Sequence, residues 1–355
     1  MNRLRTAVLG LGCNGQLLLE AASQINHFQV QAVADKDCEL AEKAAGRYQC
    51  TAYDDYRQVI MQNQLDCLLV AAPMYSCDEY IKMAMKKKVN VLKLPPAARG
   101  FEEALEFVRL AESEGIKFAI GNINRFAQSF LDLRRFLQQG NLEQVFLINA
   151  FCFVDNQDID SWQCDQKLAG GGVLLHNCYD IIDQIVYNFT TPQQVYSLNT
   201  NTASDKQQKH YLTEDTVVVT MKFTESFFAN LVASQHAGIE SRQKFVKISG
   251  KDKTLTVSDT RFTVKNRDGQ IIEDLEYNND RLCPMGKLLE NFALSILLPE
   301  ENKLYSSGSE NLNNMAVIES AYLSARTGFA EEPARIVEMV SQHMPMPTNT
   351  RPAHE

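Results

Sequence analysis

The chain has 355 residues, 45% of them hydrophobic and 22% charged, with a formal net charge of −9. That length supports two hydrophobic cores, and the composition is that of a globular protein. The acidic balance excludes the clustered basic footprint of a nucleic-acid binder, and no apolar run is long enough to serve as a membrane span.

The first element is a short apolar strand over Thr6–Leu9. It runs into Gly10-Leu11-Gly12-Cys13-Asn14-Gly15, a G-x-G-x-x-G turn, and a helix follows over Gln16–Ser23. A second apolar run, Val30–Ala34, ends on Asp35, twenty residues after the last glycine. In such a unit Gly10 permits a tight turn and Gly12 lets the backbone approach a pyrophosphate. Cys13 and Asn14 stand at the helix N-terminus where that charge sits. Gly15 lets the helix pack close to the sheet, and Asp35 accepts hydrogen bonds from a ribose hydroxyl. The carboxylate favours NAD by repelling a 2′-phosphate, while the adjacent Lys36 leaves NADP possible.

Helical patterns over Cys38–Ala45, Tyr56–Met61, Asp78–Lys87 and Phe101–Ser113 then alternate with strands over Cys67–Ala71, Val89–Leu94 and Lys117–Ile120. This alternation specifies a doubly wound parallel sheet with helices on both faces. The expected dinucleotide-binding domain spans residues 1–122 and a second domain 123–355. The rhythm changes after Ile120. A helix over Phe126–Gln138 precedes a strand over Gln144–Phe153 and a polar stretch, Asp155–Lys167. Gly170–Gly172 then opens one helix expected over Val173–Phe189. Next come strands over Val195–Asn199, Asp215–Phe223, Phe227–Ser234, Lys244–Ser249, Thr254–Ser258, Arg261–Lys265 and Ile271–Leu275. Short connections such as Asp268-Gly269 imply an antiparallel or mixed sheet. Helices return at Met285–Leu297 and Asn311–Thr327, and the proline-bearing tail beyond Glu331 is expected to wrap the surface. Outward apolar residues within Thr216–Met221 serve either a subunit contact or the chain's own helices.

Nine cysteines, an odd count without a C-x-x-C pair, argue against a disulfide framework or a metal site and for a reducing, cytoplasmic setting. The amino-terminal segment lacks the apolar core of a signal peptide.

Taken in order, these segments resemble the Gfo/Idh/MocA oxidoreductases, the family of glucose–fructose oxidoreductase and inositol dehydrogenase. The likeness rests on the glycine turn with Asp35, Gly121-Asn122-Ile123-Asn124-Arg125-Phe126, the triple glycine, Thr213-Glu214-Asp215 before a strand, Ile248-Ser249-Gly250, and Ser320–Gly328. The resemblance implies a Rossmann domain followed by an α/β domain with a large open, mainly antiparallel sheet. It implies NAD(P) as cofactor, a sugar, polyol or related small-molecule substrate reacting between the domains, and a homodimer or homotetramer built through the second sheet. Pro73 keeps the family pattern, and Ala72 and Pro73 join the expected cofactor-binding residues.

Two departures concern proton handling. The family usually carries Glu-Lys-Pro after the fourth strand of this pattern, where this chain has Leu94-Pro95-Pro96, and proline cannot move a proton. After the triple glycine the family usually has an aspartate and, four residues later, a histidine. Here those positions read His176 and Asp180. On one continuous helix the two would share a face, so His176 is the expected acid/base and Asp180 its orienter. Lys93, two residues before Pro95 and on the same strand face, is the second catalytic candidate. Arg125, Trp162 and Tyr179 are the expected substrate contacts; Tyr75 and Tyr211 are further phenol donors. The functions these residues admit are hydride transfer from a hydroxyl, a catalytically silent dinucleotide sensor, or a redox-assisted lyase or hydrolase with recycled NAD.

Overall fold

Short strands apolar on both sides need cover on both faces, and the first third of the chain meets that demand with helices. The computed structural model describes residues 3–155, 161–201, 213–236 and 242–343. In chain order the first unit runs β1 (Leu4–Leu9), α1 (Cys13–Gln24), β2 (Phe28–Ala34), α2 (Cys38–Tyr48), β3 (Thr51–Tyr53), α3 (Tyr56–Gln62), β4 (Cys67–Val70), α4 (Met74–Lys86), β5 (Asn90–Lys93), α5 (Phe101–Glu114) and β6 (Phe118–Ile120). The six strands pair in parallel, in the order β3-β2-β1-β4-β5-β6. The order reverses beside β1, where α/β sheets bind ligands. All four residues of β4 are buried, as a strand covered on both faces requires. The three-residue β3 was not expected from sequence; it is too short and too exposed to carry a periodic signal.

The second unit contains α6 (Gln128–Gln138), β7 (Leu147–Phe153), α7 (Gln166–Ala169), α8 (Val173–His176), α9 (Tyr179–Phe189), β8 (Gln194–Thr200), β9 (Thr216–Thr224), β10 (Phe227–Ser234), β11 (Gln243–Ser249), β12 (Lys253–Ser258), β13 (Arg261–Asn266) and β14 (Ile271–Glu276). Its eight strands form one open sheet in the order β14-β13-β12-β11-β7-β10-β9-β8. Every neighbouring pair is antiparallel except β7 with β10. Burial alternates along β7 and β9, so one face packs on helices and the other is open.

The chain then returns to the first unit. α10 (Leu282–Leu297) buries Met285, Leu288, Leu289 and Phe292 in the core that also holds Leu18, Leu19 and Ala22 of α1. α11 (Gly308–Thr327) packs against α5 and β8. Both sheets are thus tied together by late helices as well as by the direct connection after β6.

Two expectations are corrected. The helix expected over Val173–Phe189 is two helices. At Cys178 the backbone N–H reaches five residues back to the Val173 carbonyl, and α9 starts afresh with Ile182 N–H on Cys178 O. The tail beyond Glu331 does not simply wrap: α12 occupies Pro333–His343 and packs on α11, with Ile336 buried. Proline at the first helical position lacks a donor the helix leaves unpaired anyway, so Pro333 starts a helix.

Candidate active site

β1 ends at Leu9, Gly10 turns at φ +84°, and Gly12 precedes α1. Cys13 and Asn14 are exposed in the first turn, while Gly15 is buried beneath it. Among the described residues no side chain caps α1, and its first turn contains no acid. The helix therefore presents backbone N–H groups and the positive end of its dipole outward. A Cβ at Gly12 would meet nothing within 4 Å, so there is open space beside those donors, as an approaching phosphate requires. Asp35, half-buried after β2, is held by two backbone donors: Leu11 N at 2.6 Å and Asp37 N at 3.0 Å. Lys36 is exposed, its Nζ 5.3 Å from the centroid of the Tyr75 ring. Ala72 backs directly onto Gly10, and Pro73 leads into α4. An anion site at the helix end and a fixed carboxylate beyond the second strand together fit an adenine dinucleotide.

Beside this turn opens a cavity of about 490 Å³ between the two sheets. Asn14 and Pro95 reach it from the first unit, and Asn124, His176, Asp180 and Lys244 from the second. Arg281 at its rim donates to the Asn14 side chain at 3.2 Å, joining the start of α10 to the start of α1.

His176 and Asp180 both face this cavity, but they do not form the expected pair. The His176 Nε2 lies 3.0 Å from the Ala169 carbonyl, with the Trp162 ring edge-on to the imidazole at 5.6 Å. Asp180 instead receives Lys244 Nζ at 2.6 Å, Asn124 Nδ2 at 3.1 Å and its neighbour Ile181 N at 2.9 Å. The break between α8 and α9 is the physical reason, since the i,i+4 face exists only on an unbroken helix.

Burial pushes the imidazole of His176 down to about 4, and the charge of Lys93 acts in the same direction, against the carbonyls of Ala169 and Gly171. In the unfolded chain the same group titrates near the ordinary value of about 6.5. The unfolded chain therefore takes up this proton first. The contribution to stability is complete above about pH 6.5 and is lost as pH falls toward 4. His176→Gln is expected to flatten that part of the acid dependence, read as the difference between urea midpoints at pH 7 and pH 4.5. An unchanged difference would reject the assignment.

The remaining candidates separate by place. Lys93 is buried at the end of β5; its Nζ donates to the carbonyls of Leu94 and Pro96, and burial lowers its pKa. It is not among the residues lining the cavity. Arg125, 3% exposed at its side chain, is bound by both oxygens of the fully buried Asp183 and by Glu310. Its guanidinium has no face on the cavity. The Tyr179 hydroxyl is buried and donates to Asn311 at 3.0 Å. Trp162 bridges Tyr75 and His176 with ring centroids 5.6 Å from each. Tyr211 and the Asn156–Asp160 part of the polar stretch lie outside the described residues. Glu214, a family-pattern residue, accepts Gly172 N at 2.7 Å, Leu174 N at 2.9 Å and the Tyr322 hydroxyl at 2.9 Å. It thereby fixes the start of α8 beside the cavity.

Sequence reasoning missed Lys244 and Asn124 as residues lining the cavity. A signal for Lys244 was present. Val246 and Ile248 of β11 are the buried residues of that strand, and period two places Lys244 on their face.

Comparison with known proteins agrees with this architecture. Residues 4–122 match the "Oxidoreductase family, NAD-binding Rossmann fold", and residues 134–330 match its "C-terminal alpha/beta domain". The 2,7-anhydro-N-acetylneuraminate hydratase of Escherichia coli K12 is 24% identical over 176 residues, 49% of this chain and 46% of the relative. The chain thus spans about half the length of several curated relatives it matches. The scyllo-inositol 2-dehydrogenase (NADP(+)) IolU of Bacillus subtilis 168 is 22% identical over 284 residues, 76% of this chain and 81% of that one. An oxidoreductase from Agrobacterium radiobacter, crystallised with NAD+, L-tartaric acid and magnesium, shares the fold with a TM-score of 0.81 at 15% identity, covering 94% of this chain and 100% of that one. With both halves matched in order and the glycine turn, Asp35 and the inter-sheet cavity in place, the chain belongs to the GFO/IDH/MocA oxidoreductase family.

Proposed function

We propose that this protein is an NAD(P)-dependent oxidoreductase moving a hydride between the cofactor and a hydroxyl-bearing carbon of a sugar-, polyol- or related small molecule. One observation carries the reading: the open, uncapped N-terminus of α1 adjoins a cavity lined by side-chain amides and a buried-edge ion pair. When bound, the nicotinamide supplies the site that gives or takes hydride. The chain's own parts do the rest. Backbone N–H groups after Gly12 hold the phosphates, and Asp35 accepts ribose hydroxyls. The amide of Asn124 offers both a donor and an acceptor to substrate hydroxyls. The inositol dehydrogenase and the sugar-acid hydratase among the relatives support the substrate class.

Asp35 favours NAD over NADP, because a carboxylate repels a 2′-phosphate. NADH is therefore expected to bind more tightly than NADPH. Asp35→Ala is expected to cut NADH affinity about tenfold, roughly the 1.4 kcal/mol of one lost good contact. Trp162, the chain's one tryptophan, stands beside His176 and provides a fluorescence reporter for the titration. Failure to bind either dinucleotide rejects the reading. Binding without change in nicotinamide absorbance across inositols, aldoses and small polyols would convert it to a dinucleotide sensor. The two units are taken to meet near residues 122 and 123. The open sheet face exposes Tyr196, Leu198, Val218 and Phe228, which supports a homodimer or homotetramer through that face. The buried thiols of Cys67, Cys77 and Cys178 fit a reducing, cytoplasmic setting.

A further inference from the structure

We infer that Lys244, positioned by Asp180, is the proton donor and acceptor at the reacting oxygen, standing in for the ionisable group that Pro95 cannot supply. This rests on the oxidoreductase reading above and goes further by naming the proton carrier. The geometry is specific. Lys244 enters the cavity from β11, opposite Cys152 in the strand register, and its Nζ lies 2.6 Å from Asp180 Oδ2. Asn124 donates to the same carboxylate oxygen at 3.1 Å. Pro95 lines the same cavity. His176, four residues before Asp180 in the chain, has its Nε2 at the Ala169 carbonyl. Lys93 spends its donors on two backbone carbonyls outside the cavity. Among the described residues facing the cavity, Lys244 is the amine available to a substrate oxygen: an ammonium has three donors, and the Asp180 contact uses one.

The groups around it set its charge. Asp180 on α9, Asp259 after β12, and the thiols of Cys152 on β7 and Cys178 before α9 all act on this amine. Burial works against the ammonium, but Asp180 first and Cys152 next outweigh it, so the pKa is raised. The resting site therefore holds the ammonium form, its proton bound more tightly than in a free lysine, and oxidation draws on a small amine fraction. In carbonyl reduction the substrate carbon gains a hydride from the dihydronicotinamide. The C=O π pair moves to oxygen, and the oxygen takes a proton from Lys244 Nζ. The resulting amine recovers a proton from water. In alcohol oxidation each step reverses: the amine form takes the hydroxyl proton as the C–H hydride leaves for the oxidised nicotinamide. Reduction is then flat through neutral pH, whereas oxidation rises into the alkaline range with the amine fraction.

The test uses the full chain, with myo-inositol and glucose as alcohol probes and their ketone and lactone forms as acceptors. Lys244→Arg keeps the positive charge and the contact with Asp180 but replaces the amine with a planar guanidinium that is a far weaker acid. It is expected to lose about 10²-fold or more in kcat/KM for oxidation, the usual size of a lost general base, with NADH affinity unchanged. Lys244→Ala, checked for folding by circular dichroism, is expected to regain activity with added methylamine. Asp180→Asn keeps the shape and removes the charge that favours the ammonium. The alkaline limb of oxidation is expected to move to lower pH, a shift a merely structural role would not produce. The same shift is expected without turnover in ¹⁵N-lysine spectra, where the signal lost in Lys244→Arg titrates earlier in Asp180→Asn. Full oxidation kcat in Lys244→Arg, or an unmoved limb and lysine signal in Asp180→Asn, overturns the inference alone. An unmodified chain that binds NADH yet turns over none of the probes overturns both it and the oxidoreductase reading; failure to bind NADH overturns the latter at its first step.

Discussion

Gly15→Ala is expected to cost the protein at least about 3 kcal/mol of stability, at the upper end of overpacking penalties, while Gly12→Ala leaves stability within about 0.5 kcal/mol, as at an unencumbered surface site. The two glycines lie three residues apart in one motif, yet the surroundings separate them. A Cβ on Gly15 would stand 1.9 Å from the Gly10 carbonyl oxygen and 2.7 Å from its carbon. Those are backbone atoms of the turn itself, so no side chain can swing aside. The helix propensity that alanine adds is worth at most about 1 kcal/mol and does not offset such a contact. A Cβ on Gly12 meets nothing within 4 Å, so the fold accepts it. It occupies instead the space beside the α1 donors that a phosphate needs. NADH affinity is therefore expected to fall about 10²-fold in Gly12→Ala, roughly 2.7 kcal/mol. Thermal unfolding followed by circular dichroism reads the first effect and fluorescence titration the second. A Gly12→Ala protein that binds NADH like its parent would place the phosphates elsewhere and remove the basis for the cofactor site.

That contrast also explains why the turn was legible in the sequence. Its glycines answer local backbone requirements, and local requirements leave local signatures. Asp35 was legible for a similar reason: it follows directly from the end of an apolar run. The proton-handling residues were harder to read because their partners come from far along the chain. Asp180 is 64 residues from Lys244; the register of β11 on β7 sets Lys244 opposite Cys152, and the start of α9 brings Asp180 to it. The resemblance pointed to His176 with Asp180, and continuous helical periodicity from Val173 to Phe189 hid the break that separates them. Apolar spacing does not register a single carbonyl passed over, as at Cys178. Lys244 sat in an alternating strand whose buried positions were readable. Nothing local said that its end of the strand reached a cavity rather than solvent.

Asp183→Ala is expected to destabilise the protein by about 3–5 kcal/mol, the range for removing one member of a buried ion pair. Asp183 is 0% exposed and its two oxygens accept from Nε and one terminal nitrogen of Arg125, while Asn314 donates to it at 2.8 Å. Asn314 and Tyr179 both donate to Asn311, and Asn122 does the same from the end of the first sheet. The Arg125 guanidinium also rests over the Tyr187 ring at 4.1 Å, holds Glu310 and donates to the Tyr305 carbonyl. One connected buried network thus joins the loop after β6, α9 and the start of α11. Removing the carboxylate leaves a guanidinium desolvated and half-paired, which costs more than the pair itself contributes. Arg125→Met leaves the reverse orphan, so the double variant Arg125→Met/Asp183→Ala is expected to lose clearly less than the sum of the singles, as for residues in contact. Urea unfolding of the four proteins closes the cycle. The same cycle distinguishes a junction role for Arg125 from the substrate contact the sequence suggested. A junction role moves stability in every variant and leaves NADH affinity of the folded fraction intact. An Arg125→Met protein of parental stability that has lost only substrate affinity would reassign the arginine to the reacting molecule, and the network would then lack the charge that gives it its strength.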